Sequence, residues 1–343
     1  MAMRSGASAV NARLSAWQIA LVALVIAVLA WLLLAAWPPG LEAVLGRKKV
    51  FVNAVLNGIT LGGLYFLVAS GFTLIFGLMR NVNLAHGSLY LIGGYIGYEA
   101  ADYTGSWLMA FIVAFVATAL LGLLLQYFVF RRMEGQDLRQ TLVTIGISII
   151  AADVMLWIWG GEFFQIAAPE ALNGAMQLPI ISAVKSSGEI VWLTYPIVRL
   201  VIFGASLVLG VGMWLVLNRT RLGMMIRAGV DDRDMLSAIA VRVPMLFLLV
   251  FAFGAGLAGI AGVVGGTFQS LAPGEDSRFL LVSLIVVIVG GMGSITGAAA
   301  GALIIGLAEQ LGSVYAPTYA VALTFLIMVA VLAFRPQGLL GRA

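Results

Sequence analysis

"MLFLLVFAFGAGLAGIAGVVGGTFQS", residues 245–270, runs for 26 residues without a charge. At 1.5 Å per residue a helix of that length is about 39 Å long, more than the roughly 30 Å hydrocarbon core of a bilayer. Its glycines weaken a helix in water, but in lipid small residues let neighbouring helices approach closely. The stretch reads as a membrane-spanning helix built to be packed against.

The rest of the chain repeats the pattern. The 343 residues are 62% hydrophobic and 10% charged, with a mean hydropathy of +1.08. That is more apolar surface than a soluble domain can hide. Spans are expected at 17–37, 51–78, 84–101, 107–130, 141–159, 193–217, 245–270, 279–292, 294–311 and 317–334. The 279–292 piece is too short to cross unaided and reads as re-entrant or a half-helix. The fold class is therefore an all-α polytopic integral membrane protein of about 8–10 spans. The run from Trp17 to Trp37 outlasts a signal-peptide core and is read as a retained extra helix within an N-terminal extension, 1–49; cleavage is the alternative.

Charge sets the expected topology. With the N-terminus inside, thirteen of the nineteen basic residues fall on the inner segments, so both termini are expected in the cytoplasm, with loop 160–192 outside. Tryptophans near span ends, such as Trp107, Trp157 and Trp159, fit interfacial anchors.

Several function classes drop out. Cysteine is absent and His86 is the single histidine, so no thiolate or zinc site is expected. Lysine occurs only at 48, 49 and 185, none behind a phosphate-cradling glycine loop, so the chain carries no nucleotide-driven motor. No nucleophile elbow, acid pair or metal box points to an enzyme. The arginines mark topology rather than nucleic-acid binding.

Four features point to transport. Small residues four apart, Gly58/Gly62, Gly93/Gly97, Ala258/Gly262 and Gly297/Gly301, suit close helix packing or a glycine-lined pathway. Two breaks, Asn81–Gly87 and Gly290–Gly297, each precede a glycine-spaced helix; they are compatible with an internal repeat and mark a candidate pathway. Asp153, Glu309 and Glu99 are the intramembrane acids, either snorkelling near span ends or serving an ion-coupled carrier. The stretch 219–243 carries five arginines and three aspartates before Pro244. It reads as a solvated loop or as a short amphipathic docking helix with Met225, Leu236 and Ile239 as apolar contacts. In the second reading Asp231, Asp232 and Asp234 sit near the start of a turn, and Arg227 either pairs with Asp231 four residues on or makes a charge-assisted contact to the docked partner.

Around the first break, Asn81 and Asn83 are expected to satisfy backbone groups at the inner membrane face, Gly87 to allow close packing, and His86 to bond the adjacent loop. Together Asn83, His86 and Gly87 read as a structural corner, a lining role for His86 being the alternative. The candidate translocation face on 51–78 is Asn57, Thr60 and Thr73, with Tyr65 and Ser70 nearby.

Taken in order, Leu56-Asn-Gly-Ile-Thr-Leu-Gly62 with Tyr65, Gly71-Phe-Thr73, Phe76-Gly77, Asn83-Leu-Ala-His-Gly87, Arg221-Leu-Gly223, Arg227-Ala228, Gly290-Gly-Met-Gly-Ser294 with Gly297 and Gly301, Ala308-Glu309 and Arg335-Pro-Gln-Gly338 resemble one family. They resemble the permease subunits of bacterial branched-chain amino acid ABC transporters, of the LivH type, from about residue 50 to the end. The chain departs from the family pattern at Leu236 and Ala240 and in helix 17–37, which precedes the matching part and looks like an addition to the family's usual start. The resemblance implies a permease domain over 50–343 whose cytoplasmic coupling loop lies at about 219–242, with Arg221, Gly223, Arg227, Ala228, Asp231 and Asp232 in the part that meets the ATPase. It further implies a second permease subunit (LivM-like or a copy of this chain), two cytoplasmic ATP-binding subunits that carry the ATP, a periplasmic solute-binding protein, and the bacterial inner membrane as location. The small-molecule substrates implied are branched-chain amino acids, with urea, short amides and aromatic or dicarboxylic acids as alternatives in the same family.

Overall fold

The computed structural model describes residues 48–79, 83–133, 135–184, 190–231 and 242–341. Expected helix 17–37, together with Asn81, Asp232, Asp234, Leu236, Ile239 and Ala240, lies outside them. By contacts the chain parts into two units, Met1–Val52 with Gln177–Leu193, and Asn53–Met176 with Thr194–Ala343. Among the described residues the first holds the opening turn of α1 (Lys48–Met79) and most of a two-stranded sheet, β1 (Ala175–Val184) and β2 (Ile190–Pro196). The sheet is a correction: loop 160–192 was expected without regular structure, and the following span begins at Ile197, not at 193. The alternating burial of β2 explains it, because an alternating strand can be as apolar as a span while having period two.

The second unit is helical. After α1 come α2 (His86–Thr104), α3 (Trp107–Phe128), α4 (Asp137–Trp159), α5 (Ile197–Arg219), α6 (Arg221–Asp231), α7 (Val243–Phe268), α8 (Glu275–Gly290), α9 (Ile295–Tyr315) and α10 (Ala320–Phe334). Among the described residues seven stretches are long and apolar enough to cross a membrane. The 19-residue α2 is not among them; it carries Glu99 and Asp102. The 16-residue α8 is about 24 Å long, short of a full crossing as expected, and its return partner is α9.

Burial sorts the helices. In its most apolar window 89% of α1 and 78% of α7 is buried, against 11% for α4 and for the 317–334 stretch that contains α10. The outer helices present Leu120, Ile149, Leu207, Val208, Leu326 and other apolar side chains outward, the surface a bilayer requires.

The spaced glycines sit where these helices touch. A methyl on Gly62 would lie 2.9 Å from the Ala302 carbonyl oxygen, and one on Gly58 2.9 Å from the Leu307 Cα, so α1 meets α9 backbone to backbone. Gly93 lies against the Cα of Gly259, and Gly262 against the Tyr90 carbonyl, joining α2 to α7. Gly297 and Gly290 close the α8–α9 turn, where Gly291 and Gly293 take φ of 108° and 77°. Those values are strained for any side chain.

One end of the unit gathers Gly77 with Gly293, the α5–α6 corner, and a final segment whose Leu339 and Leu340 amides donate to the Val289 and Gly290 carbonyls. At the other end Phe164 and Leu271 form a β-bridge and the Ile166 amide donates to the Gly266 carbonyl.

Candidate functional site: two polar networks and a terminal helix

Two chains of hydrogen bonds start on α1. In the first, the Tyr195 hydroxyl, at the end of β2, lies 3.0 Å from both Thr60 Oγ1 and Asn57 Oδ1, and Arg199 on α5 also donates to Asn57 Oδ1. In the second, the enclosed Tyr65 hydroxyl donates to Glu309 Oε2 at 2.6 Å, and Arg278 donates to Glu309 Oε1 at 3.0 Å and to Glu275 Oε2 at 3.1 Å. Three helices, α1, α8 and α9, are thus tied by charge-assisted bonds.

The structure brings together three of the candidate pathway residues. Asn57, Thr60 and Tyr65 all carry these networks. Ser70 instead donates to its own Leu67 carbonyl at 2.7 Å, and Thr73 is buried with Oγ1 unpaired among the described residues. Sequence reasoning passed over Arg199, Arg278 and Tyr195. It weighed acids as intramembrane charges and counted both arginines only as outer-side topology markers. For Arg199 the available signal was a basic residue inside the expected span 193–217; Arg278, between expected spans, carried none.

Two of the three intramembrane acids have ordinary partners. Glu309 is paired as described, Glu99 accepts from Trp159 Nε1 at 3.0 Å, and Asp153 is exposed on α4.

The break at 80–87 needs correcting. His86 does not bond an adjacent loop; its Nε2 lies 3.1 Å from the Val68 carbonyl, its ring is edge-on to Phe72, and it is 0% exposed. Val68 lies eleven residues before the end of α1, about 16 Å along the axis. Hence α2 starts deep beside α1, not at its end. Asn83 Oδ1 accepts from the Ala85 amide at 3.0 Å, and the Leu84 amide donates to Thr144 Oγ1 at 3.2 Å, so backbone polar groups freed at this depth are met by side chains. Gly87 gives room for the Asp276 carbonyl of α8.

The 11-residue α6 follows α5 after one residue. Thr220 Oγ1 accepts from the Gly223 amide at 3.2 Å, an N-cap, and Gly223 is needed because a methyl there would fall on the Leu217 backbone. Arg227 donates to the Leu217 carbonyl and, at 3.2 Å, to Asn218 Oδ1. An arginine bound to the last carbonyls of a helix is favoured by the dipole, and here it fixes the angle between α5 and α6. Ile226, rather than Met225, is the buried anchor; it packs with Leu74, Phe130, Leu246 and Phe251 while Met225 is partly buried. Leu222 and Met224 remain 37% and 55% exposed, and Arg221 and Ala228 face out with them. Asp231 is the last residue of α6 rather than the start of a turn.

A mainly apolar bundle with a glycine-packed centre, polar bonds across its central helices and an amphipathic helix at one end defines a membrane transport permease. The sequence profile of the family described as the permease component of branched-chain amino acid transport systems matches residues 54–332, and the chain belongs to that family. It is 30% identical over 304 residues to the high-affinity branched-chain amino acid transport permease LivH of Salmonella typhimurium, covering 85% of this chain and 96% of that protein. BraD of Pseudomonas aeruginosa, with the same described role, is 29% identical over the same shares. The autoinducer 2 import permease LsrC of Escherichia coli is 26% identical over 76% of this chain and 72% of its own. No solved structure matches the chain.

Proposed function

We propose that the chain is a membrane-spanning subunit of an ATP-driven importer of branched-chain or related amino acids in the bacterial inner membrane. It would pair with a second permease subunit, similar or identical, and receive solute from a periplasmic binding protein. One of two cytoplasmic ATPase subunits docks on α6 and the residues that follow it to about 242, the other on the second permease subunit. The relatives' printed roles support the substrate class and 219–242 supports the motor side.

The observation that carries the reading is α6. Its inner face is anchored by Ile226 and clamped through Arg227, while Leu222 and Met224 stay exposed in a helix that follows a span directly. Exposed apolar side chains on a fixed helix suit a protein groove. An ion-coupled carrier is less favoured, since Glu309 already has both oxygens engaged.

The test is reconstitution in liposomes with the co-purified second permease and ATPase subunits, the solute-binding protein being added on its own side of the membrane. ATP-dependent uptake of labelled L-leucine is expected in the parent. Met224→Asp, which places a charge in the docking surface, should insert normally and lower uptake and stimulated ATP hydrolysis by about tenfold or more, an effect of at least 1.4 kcal/mol. Uptake by the chain alone on an ion gradient would overturn the importer reading.

A further inference from the structure

We infer that the cavity of about 480 Å³ at the end remote from α6 binds a small zwitterion with an apolar side chain, a neutral α-amino acid, at the mouth of the permease itself. This deepens the proposed function and rests on it for the substrate class.

The cavity lies where two helix ends of opposite polarity face each other. One wall is the first turn of α5, with Val198 and Arg199, and the other is the last turn of α7, with Thr267 and Phe268. Ligand pockets span roughly 300–1,000 Å³, so a single amino acid fits with room for water.

Arg199 supplies the charge for a carboxylate. Its guanidinium lies 5.2 Å over the Phe268 ring and donates to Asn57 Oδ1. That bond occupies one of five N–H donors, and the rest of the planar fork suits a carboxylate. The Ile197 amide is taken by the Gly174 carbonyl, and the N-terminal end of α5 that follows it adds positive potential on the same side.

The ammonium group has the opposite pole. The Gly265 and Gly266 carbonyls are taken by the Gln269 and Ile166 amides. The Thr267 and Phe268 carbonyls close α7 beyond them, and helix C-termini favour cations. Between the poles Ile166, Val198 and the Phe268 ring offer an apolar wall for a side chain. Asn57 and Tyr195, which hold Arg199 in place, connect this mouth to the polar face of α1.

The chain, purified with its partner subunits but without the solute-binding protein, is placed in lipid nanodiscs. Binding of L-leucine, L-leucinamide and 4-methylpentanoic acid is read by saturation-transfer NMR. L-Leucine should bind saturably, and each analogue, lacking one charge, about tenfold or more weakly, the loss of a hydrogen bond to a charged group. Arg199→Gln should weaken L-leucine to the same degree. Because that change also removes the Asn57 bond, Ala168→Trp is the second variant; it fills the cavity from a loop, keeps Arg199 in the chain and should abolish binding.

Equal binding of the three compounds, L-leucine binding that survives Ala168→Trp, or no saturable binding by the parent would each overturn the site. ATP-driven uptake is measured in parallel on the same purified complex in liposomes with the solute-binding protein added. Uptake without this binding discards the cavity and leaves the importer, while binding without uptake discards the importer and leaves the cavity.

Discussion

Tyr65 is 1% exposed, and its hydroxyl reaches a carboxylate on a helix 244 residues away in sequence. Such a bond between a phenol and a charged acceptor is worth about 1.5–3 kcal/mol when the acceptor stays buried. Glu309 is 14% exposed at its side chain and Arg278 40%, so the carboxylate is the better shielded partner and Tyr65→Phe should cost at the lower end of that range. Glu309→Gln should cost more, because it also leaves Arg278 with Glu275 alone. Both changes act on one shared bond, Tyr65→Phe removing it and Glu309→Gln taking away its charge, so together they should cost less than the sum of the singles. Thermal unfolding of the four proteins in detergent checks this; strictly additive shifts would mean that Tyr65 and Glu309 act independently. The residues of this network were only half legible in the sequence. Tyr65 and Glu309 stood out as a polar group and an acid within apolar runs, but their pairing depends on how α1 lies against α9, which the spacing of residues along either helix does not contain.

At the scale of elements, glycine spacing proved the more readable signal. The pairs Gly58/Gly62 and Gly93/Gly97 lie on helix faces that meet α9 and α7, because a period of four keeps small residues on one face and lipid rewards close backbone packing. Gly93 faces the Gly259 backbone, which cannot rotate away as a side chain would. Gly93→Leu should therefore separate α2 from α7 and cost about 1–3 kcal/mol or more, read as loss of folded chain from the membrane. Gly146 on α4 has open space around it, so Gly146→Ala should be tolerated and raise helix stability by about 0.5–1 kcal/mol. Comparable loss from both would show that the spacing is incidental. What spacing missed was depth. The Asn83–His86 break looked like a corner at the membrane face because polar residues interrupt an apolar run there. In the fold the interruption is buried and met by Val68 and Thr144. β2 was misread because Leu193 leads almost directly into the apolar run of α5, and Pro196, which marks the boundary between them, was passed over.

For the whole molecule, the distribution of charge between its two ends is the strongest remaining statement. The end with α6 carries Arg131, Arg132, Arg139, Arg219, Arg221, Arg227, Arg242 and Arg335 among the described residues. The end with the cavity carries Glu99, Asp102, Glu162, Glu170, Glu275 and Asp276, against the basic Arg199 and Arg278 in the same unit. Cytoplasmic segments hold an excess of Lys and Arg, so the α6 end should face the cytoplasm, which is also where an ATPase would be. Because the chain has no cysteine, single cysteines report sidedness without background. Gln136 and Glu162 are both exposed and flank α4 at its two ends. In intact cells with the outer membrane opened, a membrane-impermeant maleimide should label Glu162→Cys at once. It should label Gln136→Cys only after the inner membrane is permeabilised. The reverse pattern would place α6 and the arginine-rich end outside. It would remove the docking role of α6 and the entry role of the cavity in one measurement, since both depend on the same orientation.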